Sequence, residues 1–262
     1  MLLGVNIDHI AYLREARRTN DPNPLDALCI LKKCAVSQIT IHLREDRRHI
    51  HDEDLFEIIK TAYMPVNLEC SLSDEMLSIA LKAKPARITL VPEKREEVTT
   101  EGGLDVKKYF DKLKLTCKRF KEEGVDVSFF IDPNLEIVNL SNDLGVKWIE
   151  LHTGKYANIY AMLYTNLRHT HNSIKNLEFS SEKLHVLLEK SLKELINAAT
   201  EADKLGLLVA AGHGLNYYNV KNIAEIKEIK ELNIGQSIIA RSVFWGLEEA
   251  ITKMQEQLKV SE

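Results

Sequence analysis

The chain has 262 residues, of which 45% are hydrophobic, and its 35 basic and 39 acidic residues give a formal net charge of −4. This near balance excludes a global positive field for nucleic acid or for an anionic membrane. The length suits one (β/α)8 barrel domain spanning residues 1–262.

The sequence carries no sign of export. The N-terminus reaches Asp8 without the basic start of a signal peptide, and no apolar stretch approaches about 18 residues. The four cysteines form no CxxC or zinc-ribbon spacing. We therefore expect a cytoplasmic protein with free thiols. We expect Cys29 and Cys34 to lie on an amphipathic helix with their thiols in the protein core.

Short apolar runs that predict strands alternate with helical patterns along the whole chain. Helix boundaries are indicated by Asn23–Pro24 and Ser73, and by Gly124, Gly145 and Gly206 ahead of later strands. The predicted strands are Leu2–Ile7, Gln38–Leu43, Val66–Cys70, Arg87–Val91, Val125–Ile131, Lys147–Leu151, Leu207–Ala211 and roughly Glu231–Ile239. Eight such βα units favour an α/β fold closed as a (β/α)8 TIM barrel, with an open doubly wound sheet as the alternative.

One segment breaks this alternation. Residues 156–180 are rich in asparagine and histidine, and they precede a long predicted helix from Ser181 to Lys204. We interpret them as a long polar insertion that is a lid, a partner contact or a disordered insert, in which His169 and His171 are solvated loop residues without a chemical role.

Polar and ionisable side chains collect where the predicted strands end. The carboxyl ends of barrel strands form the catalytic mouth, and burying so many polar groups without a use would be costly. We therefore expect one site at this end of the barrel. The strand-end set is Asn6, Asp8, His9, His42, Arg44, His49, Glu69, Thr99, Asp132, Glu150, His152, His213, Gly214, Gly235 and Gln236.

Two parts of this set can bind anions. The Arg44–His49 run is either a solvated, salt-bridged turn or a phosphate grip placed directly after His42. Gly212, Gly214 and Gly235 follow strands seven and eight, where barrels often bind phosphate through backbone N–H groups. Together they indicate two phosphorylated substrates or one bisphosphate.

His42, Glu69 and His213 converge from three strands and suit proton transfer. Metal ligation is the rival use of the same residue types, with Asp8, His9, His42, His152 and His213 as ligands. Strand one lacks the His-x-His pair of metal-dependent barrel hydrolases, and Lys94 is the lone loop candidate for a Schiff base. We therefore expect neither a metal nor another cofactor.

Five blocks of sequence resemble the pyridoxine 5′-phosphate synthase family. The blocks are Gly4–Ile10, Ile41–Ile50, Val91–Asp105, Glu150–Gly154 and Ala211–Gly214. The resemblance spans nearly the whole chain. It implies a (β/α)8 barrel with additional helices, assembled as a homo-octamer. It also implies condensation of 3-amino-2-oxopropyl phosphate with 1-deoxy-D-xylulose 5-phosphate to pyridoxine 5′-phosphate, phosphate and water, a step of vitamin B6 biosynthesis.

The resemblance also implies roles for individual residues. His42, Glu69 and His213 would be the catalytic acid/base groups, and Glu150 would stabilise charge in the transition state. The deoxyxylulose phosphate would bind to Asp8, His9, Arg44, His49 and Thr99, and the amino ketone phosphate to Asn6, Arg17, Gly214, Gly235 and Gln236.

This chain departs from the family pattern in two places. It has Gly235–Gln236 where the family commonly has Gly-His, and an amide can donate to phosphate but cannot carry charge. The segment 156–180 is longer than the usual connection. A metal-dependent barrel hydrolase or lyase and a non-catalytic phosphate-ligand barrel remain the alternatives.

Overall fold

The computed structural model describes residues 1–92 and 102–259, and in it the eight apolar runs form parallel strands. Each strand pairs with the next, and β1 pairs with β8, which closes the barrel. The closed (β/α)8 barrel expected from the sequence is confirmed. The strands are β1 (Leu2–Asn6), β2 (Gln38–His42), β3 (Val66–Cys70), β4 (Arg87–Leu90), β5 (Asp126–Ile131), β6 (Trp148–His152), β7 (Leu208–Gly212) and β8 (Ile229–Ile234).

Helices connect the strands and cover the outside of the barrel. Ser73 accepts a hydrogen bond from the N–H of Met76 at the start of α4, and Asn134 caps α6 in the same way. The α-helices of the described residues are α1 (Asp8–Glu15), α2 (Ala27–Lys33), α3 (Asp52–Thr61), α4 (Asp74–Ala83), α5 (Phe110–Glu122), α6 (Leu135–Asp143), α7 (Gly154–Tyr164), α8 (Ser181–Lys204), α9 (Val220–Ala224), α10 (Gln236–Trp245) and α11 (Leu247–Gln257).

The last predicted strand has the wrong bounds. β8 begins at Ile229 and ends at Ile234, and the residues from Gln236 onward form α10. Ile238 and Ile239 are buried in that helix, so the apolar run continues across a change of structure. A short apolar run does not distinguish a buried strand from a buried helix, which explains the error.

The predicted polar insertion is also partly wrong, because α7 occupies residues 154–164. Tyr156, Ile159 and Met162 are buried at helical spacing, while Asn158 and the polar residues that follow the helix hid this pattern. Residues 165–180 contain two short 3-10 helices, Leu167–His169 and Lys175–Leu177. His169 and His171 are exposed there, as expected.

The cysteines are free thiols, as expected, but two of them are misplaced by the sequence argument. Cys29 is exposed and Cys34 is half-buried, because α2 buries Ala27, Leu28 and Leu31 instead. Among the described residues, no helix is both long enough and apolar enough to cross a membrane.

The barrel has an apolar outer layer and a polar interior. On β2, Ile39 and Ile41 are fully buried in the hydrophobic core, while Gln38 and Thr40 alternate with them and bond to Asn233 on β8. Successive strand residues face opposite sides of a sheet, so Gln38 and Thr40 point into the barrel. The core thus lies between strands and helices, and polar groups reach the carboxyl ends from inside.

Candidate active site

A cavity of about 430 Å³ lies at the carboxyl ends of the strands. It gathers side chains from all parts of the chain, as the strand-end argument predicts. All the predicted catalytic and binding residues except Arg17 and Thr99 line it, namely Asn6, Asp8, His9, His42, Arg44, His49, Glu69, Glu150, His213, Gly214, Gly235 and Gln236.

The structure does not bring Arg17 to this cavity. Arg17, whose binding role was implied by the family resemblance, is exposed just beyond the end of α1. Thr99 and Lys94 lie outside the described residues.

Asp8 begins α1 and is held from two sides. Its Oδ1 accepts the backbone N–H of His42 at 2.8 Å, and its Oδ2 accepts the side-chain amide of Asn6 at 2.7 Å. Burial raises the pKa of Asp8 to about 6, although His42 and these hydrogen bonds lower it. The carboxyl group is therefore fixed in direction and able to change protonation near neutral pH.

His42 and Glu69 end neighbouring strands and face each other. Nδ1 of His42 lies 3.9 Å from Oε2 of Glu69, and the side chains are 11% and 17% exposed. Burial raises the pKa of Glu69 well above its usual value, and the nearby Glu150 and Asp8 carboxyl groups add to this. A carboxyl group with a raised pKa holds its proton to higher pH and is a stronger base once it is ionised, which suits general acid/base chemistry.

Glu150 on β6 is a further carboxyl group of the cavity, and it is buried. Its Oε2 accepts a hydrogen bond of 2.7 Å from Nδ2 of Asn233. Burial raises the pKa of Glu150 to about 7, partly opposed by Asn233 and by Arg87. Because Glu69 and Glu150 repel each other when both are ionised, one of them tends to hold a proton.

His213 follows β7 in a backbone conformation that few residues other than glycine adopt, with φ of 81°. Its ring packs edge-on against His152 at 4.8 Å between centroids. His152 in turn lies 3.1 Å from the Asp132 carboxylate through Nδ1. Burial, with a smaller contribution from His152, lowers the pKa of His213 to about 4, which favours the neutral imidazole.

The arginine run after β2 divides its residues between cavity and surface. Arg44 is 5% exposed and lines the cavity. Arg47 bonds to Asp52 and Glu75, and Arg48 bonds to Asp46, in the manner of a salt-bridged turn. The contacts of Arg47 and Arg48 are therefore those of a salt-bridged turn, while phosphate binding by Arg44 stays a prediction.

The opposite side of the cavity is built by backbone. Gly235 directly follows β8 and approaches Asn6 so closely that a Cβ would lie 2.8 Å from the Cβ of Asn6. Gln236 then starts α10, so the free N–H groups of this helix begin at the cavity wall. Such a corner can bind an anion without a charged side chain.

Asp8, His42 and His49 are also a possible metal-binding group among the described residues, since their ligand atoms lie within 4.8 Å of one another. Two of these residues already accept hydrogen bonds. Asp8 bonds to Asn6 and to His42, and Nδ1 of His49 accepts the N–H of Ile50. A metal ion would therefore compete with contacts that order the cavity.

Sequence reasoning missed several residues of the cavity wall. Tyr12, Asn158 and Asn216 lie on helices or loops with no strand-end signal. Asn233 could have been found, since it is a polar residue in the apolar run Leu232–Ile234 just before Gly235. It was missed because the predicted strand extended too far and put Asn233 inside it, away from its end.

Comparisons with known proteins match the whole length of the chain to one family. The family model described as "Pyridoxal phosphate biosynthesis protein PdxJ" matches residues 3–260. A pyridoxine 5′-phosphate synthase of Aliarcobacter butzleri is 61% identical over 259 residues, covering 99% of both chains. One of Sulfurovum sp. is 60% identical over 258 residues, covering 98% of this chain and 100% of the relative.

Solved structures show the same fold at low identity. A mutant tryptophan synthase alpha-subunit of Pyrococcus furiosus has a TM-score of 0.59 at 14% identity, covering 99% of this chain and 98% of that one. A 3-hexulose-6-phosphate synthase has a TM-score of 0.58 at 12% identity, covering 99% of this chain and 100% of that one. The full-length family match and the high identity to named relatives confirm the resemblance seen in the sequence, and the chain belongs to the pyridoxine 5′-phosphate synthase family.

Proposed function

We propose that this protein condenses 3-amino-2-oxopropyl phosphate with 1-deoxy-D-xylulose 5-phosphate to give pyridoxine 5′-phosphate, phosphate and water. One observation carries the proposal. A single cavity combines the acid/base groups His42, His213, Glu69 and Glu150 with an arginine on one side and a backbone anion corner on the other. Relatives of the same family that match this chain over nearly their full length are named for this activity.

The chemistry requires proton transfer rather than an enzyme nucleophile. The amino ketone supplies its own amine, so imine formation, dehydration, phosphate loss and ring closure can proceed with acids and bases. We assign this work to His42, Glu69 and His213, with Glu150 stabilising charge. The raised pKa of Glu69 makes it a stronger base, and the lowered pKa of His213 keeps its ring available to accept a proton.

Two anion-binding positions suit two phosphorylated substrates. Arg44, with Asp8, His9, His49 and Thr99, would hold the deoxyxylulose phosphate. Gly214, Gly235 and Gln236, with Asn6, would hold the amino ketone phosphate on backbone N–H groups. Gln236 is exposed, so its amide would assist the phosphate only from the rim.

We also propose a cytoplasmic homo-octamer. An apolar surface patch at the end of α10, formed by Tyr218, Val243, Phe244 and Trp245, supports assembly because Phe244 is 78% exposed and Val243 is 68% exposed. Arg17 lies outside the cavity of its own chain, so a role in substrate binding would require it to act from a neighbouring chain.

The direct test mixes the purified protein with both substrates without added metal, and follows pyridoxine 5′-phosphate fluorescence together with phosphate release. We expect both products, and we expect His42→Ala and Glu69→Gln to lose at least about 100-fold in kcat. Ser128→Ala is the matched control, because Ser128 is a buried residue of β5 that does not line the cavity.

Two results would contradict the proposal. If folded protein binds the sugar phosphate without forming product, the barrel is a binding protein or acts on another substrate. If activity disappears with a chelator and returns with a stoichiometric transition metal, the metal-dependent alternative is correct instead.

A further inference from the structure

A chain of hydrogen bonds crosses the inside of the barrel and ends on Glu150. Arg87 on β4 contacts both Gln38 on β2 and Glu231 on β8, the latter at 2.6 Å. Gln38 bonds to Asn233 at 3.0 Å, and Asn233 bonds to Glu150 at 2.7 Å. These strands are not neighbours in the barrel, so the contacts pass through its interior.

Arg87 fixes which group donates and which accepts at each of these hydrogen bonds. A guanidinium only donates, so the oxygen of the Gln38 amide must face it. The Gln38 Nε2 group must then donate, and it reaches Glu231 at 2.7 Å and Oδ1 of Asn233. Since the oxygen of Asn233 is used as an acceptor, its Nδ2 group is left to donate to Oε2 of Glu150.

Two glycines make room for this arrangement. Gly4 pairs with both Gln38 and Asn233 in the sheet, and a Cβ there would collide with Oδ1 of Asn233. A Cβ at Gly212 would collide with Oε1 of Glu150. The Asn233 amide and the Glu150 carboxyl group therefore lie in spaces that only glycine neighbours leave open.

We propose that Asn233 is a positioning residue, oriented by Arg87 through Gln38, which keeps Oε2 of Glu150 as a hydrogen-bond acceptor and leaves Oε1 to carry and exchange the proton. This inference rests on the proposed function, in which Glu150 stabilises charge. Glu150 lines the cavity, so the oxygen that Asn233 does not bind is the one available to a substrate. A protonated Oε1 donates to developing negative charge, and an ionised one stabilises positive charge.

Three charged groups act on Glu150 from the elements around it. Glu69 on β3 and Glu231 on β8 oppose its ionisation, while Arg87 on β4 favours it. Loss of the Asn233 hydrogen bond should therefore raise the pKa of Glu150. Without that donor the ionised carboxylate is less stable, and Glu150 holds its proton to higher pH.

The test replaces Asn233 with leucine, which keeps the branching of the side chain and removes its hydrogen bonds to Gln38 and Glu150. We expect kcat for pyridoxine 5′-phosphate formation to fall roughly 10- to 100-fold, with KM for either substrate within about threefold of wild type. Ser128→Ala, also inside the barrel wall, should leave both constants unchanged.

A second readout does not need turnover. An infrared pH titration of the unliganded protein follows the carbonyl band of protonated Glu150, assigned by its loss in Glu150→Gln. We expect this band to persist to higher pH in Asn233→Leu than in wild type. Because the titration requires no substrate, it separates a failure of this inference from a failure of the proposed reaction.

The outcomes are distinct. An unchanged Glu150 titration, a kcat no lower than that of Ser128→Ala, or a rise in KM that accounts for the whole loss would overturn the inference. If Asn233→Leu does not fold, Gln38→Met decides by the same measurements, since it leaves the Arg87–Glu231 pair in place and frees the Asn233 amide to rotate. A smaller shift in the same directions supports the inference, and wild-type values overturn it.

Discussion

Glu150 is 3% exposed, so the site holds an ionisable group where water cannot solvate it. Burial raises its pKa from 4.5 to about 7, which means that the folded chain binds this proton more tightly than the unfolded chain. The stability that this proton provides is complete below pH 4.5 and is lost as the pH rises through about 7. At higher pH the ionised group costs on the order of 3 kcal/mol of stability.

Replacing this group should therefore stabilise the protein while disabling it. We expect Glu150→Gln to raise the free energy of unfolding by roughly 1–3 kcal/mol at pH 8 and by much less at pH 5, because a neutral amide avoids the buried charge. Urea denaturation at both pH values measures this difference. The exposed Glu57→Gln is the control, and an equal gain at the two pH values would contradict the argument.

Arg44 and Arg48 provide a matched pair for the phosphate proposal. Arg44 lines the cavity, while Arg48 is bound to Asp46 beside it. We expect Arg44→Met to raise KM for deoxyxylulose phosphate about tenfold or more, and Arg48→Met to change it by less than about threefold. Steady-state kinetics with this substrate varied gives both values. Similar effects at the two positions would mean that only the general positive charge of the loop matters.

At the scale of elements, a buried ion pair joins two helices that flank the cavity. Arg14 on α1 binds both oxygens of Asp54 on α3, at 2.8 and 2.7 Å, and also the carbonyl oxygen of His49. The two side chains are only 11% and 10% exposed. This contact fixes the loop that brings His49 to the cavity.

Breaking one side of this pair should be costly. We expect Asp54→Asn to lower the free energy of unfolding by about 3 kcal/mol, because it removes the two-pronged charge partner of a buried guanidinium and leaves Glu15 as its remaining carboxylate contact. The double substitution Arg14→Met with Asp54→Leu should recover part of that loss. Chemical denaturation of the set provides the test, and a loss below about 1 kcal/mol would show that the pair behaves like a surface contact.

The elements also show what a sequence can and cannot predict. The alternation of apolar runs was sufficient to identify the barrel, because parallel strands buried on both faces leave a strong signal. It was insufficient at Ile238 and Ile239, since a buried helix carries the same residue types. The site could be predicted from the sequence for a related reason. Side chains near the carboxyl ends of the strands, such as those of His42 and Glu150, meet at one face of the barrel.

The features of the site that the sequence did not predict depend on three-dimensional distance and leave no pattern in the local sequence. Arg17 is only a few residues beyond Asp8 in the sequence, yet the rise of α1 carries it away from the cavity. Asn233 contacts Glu150 across 83 positions of the chain, and local sequence holds no record of that contact.

At the scale of the whole molecule, the proposed assembly can be tested at the α10 surface patch defined above. We expect Phe244→Asp to reduce the assembly to smaller species, because a charge in an apolar contact is left without solvent or partner. Light scattering after size-exclusion chromatography reports the mass. Leu115→Asp, at a position that is 70% exposed on α5, is the control. An unchanged mass in Phe244→Asp would exclude this patch as the interface.

The pairing of β1 with β8 has a consequence for synthesis on the ribosome. Until residues 229–234 emerge, the edges of β1 and β7 lack their partners, Asn6 lacks Gly235, and Glu150 lacks Asn233. The site is therefore completed in one late event rather than assembled gradually. A nascent chain released before β8 would hold most of the catalytic side chains without the closed barrel that aligns them, and premature termination would leave no partly active fragment.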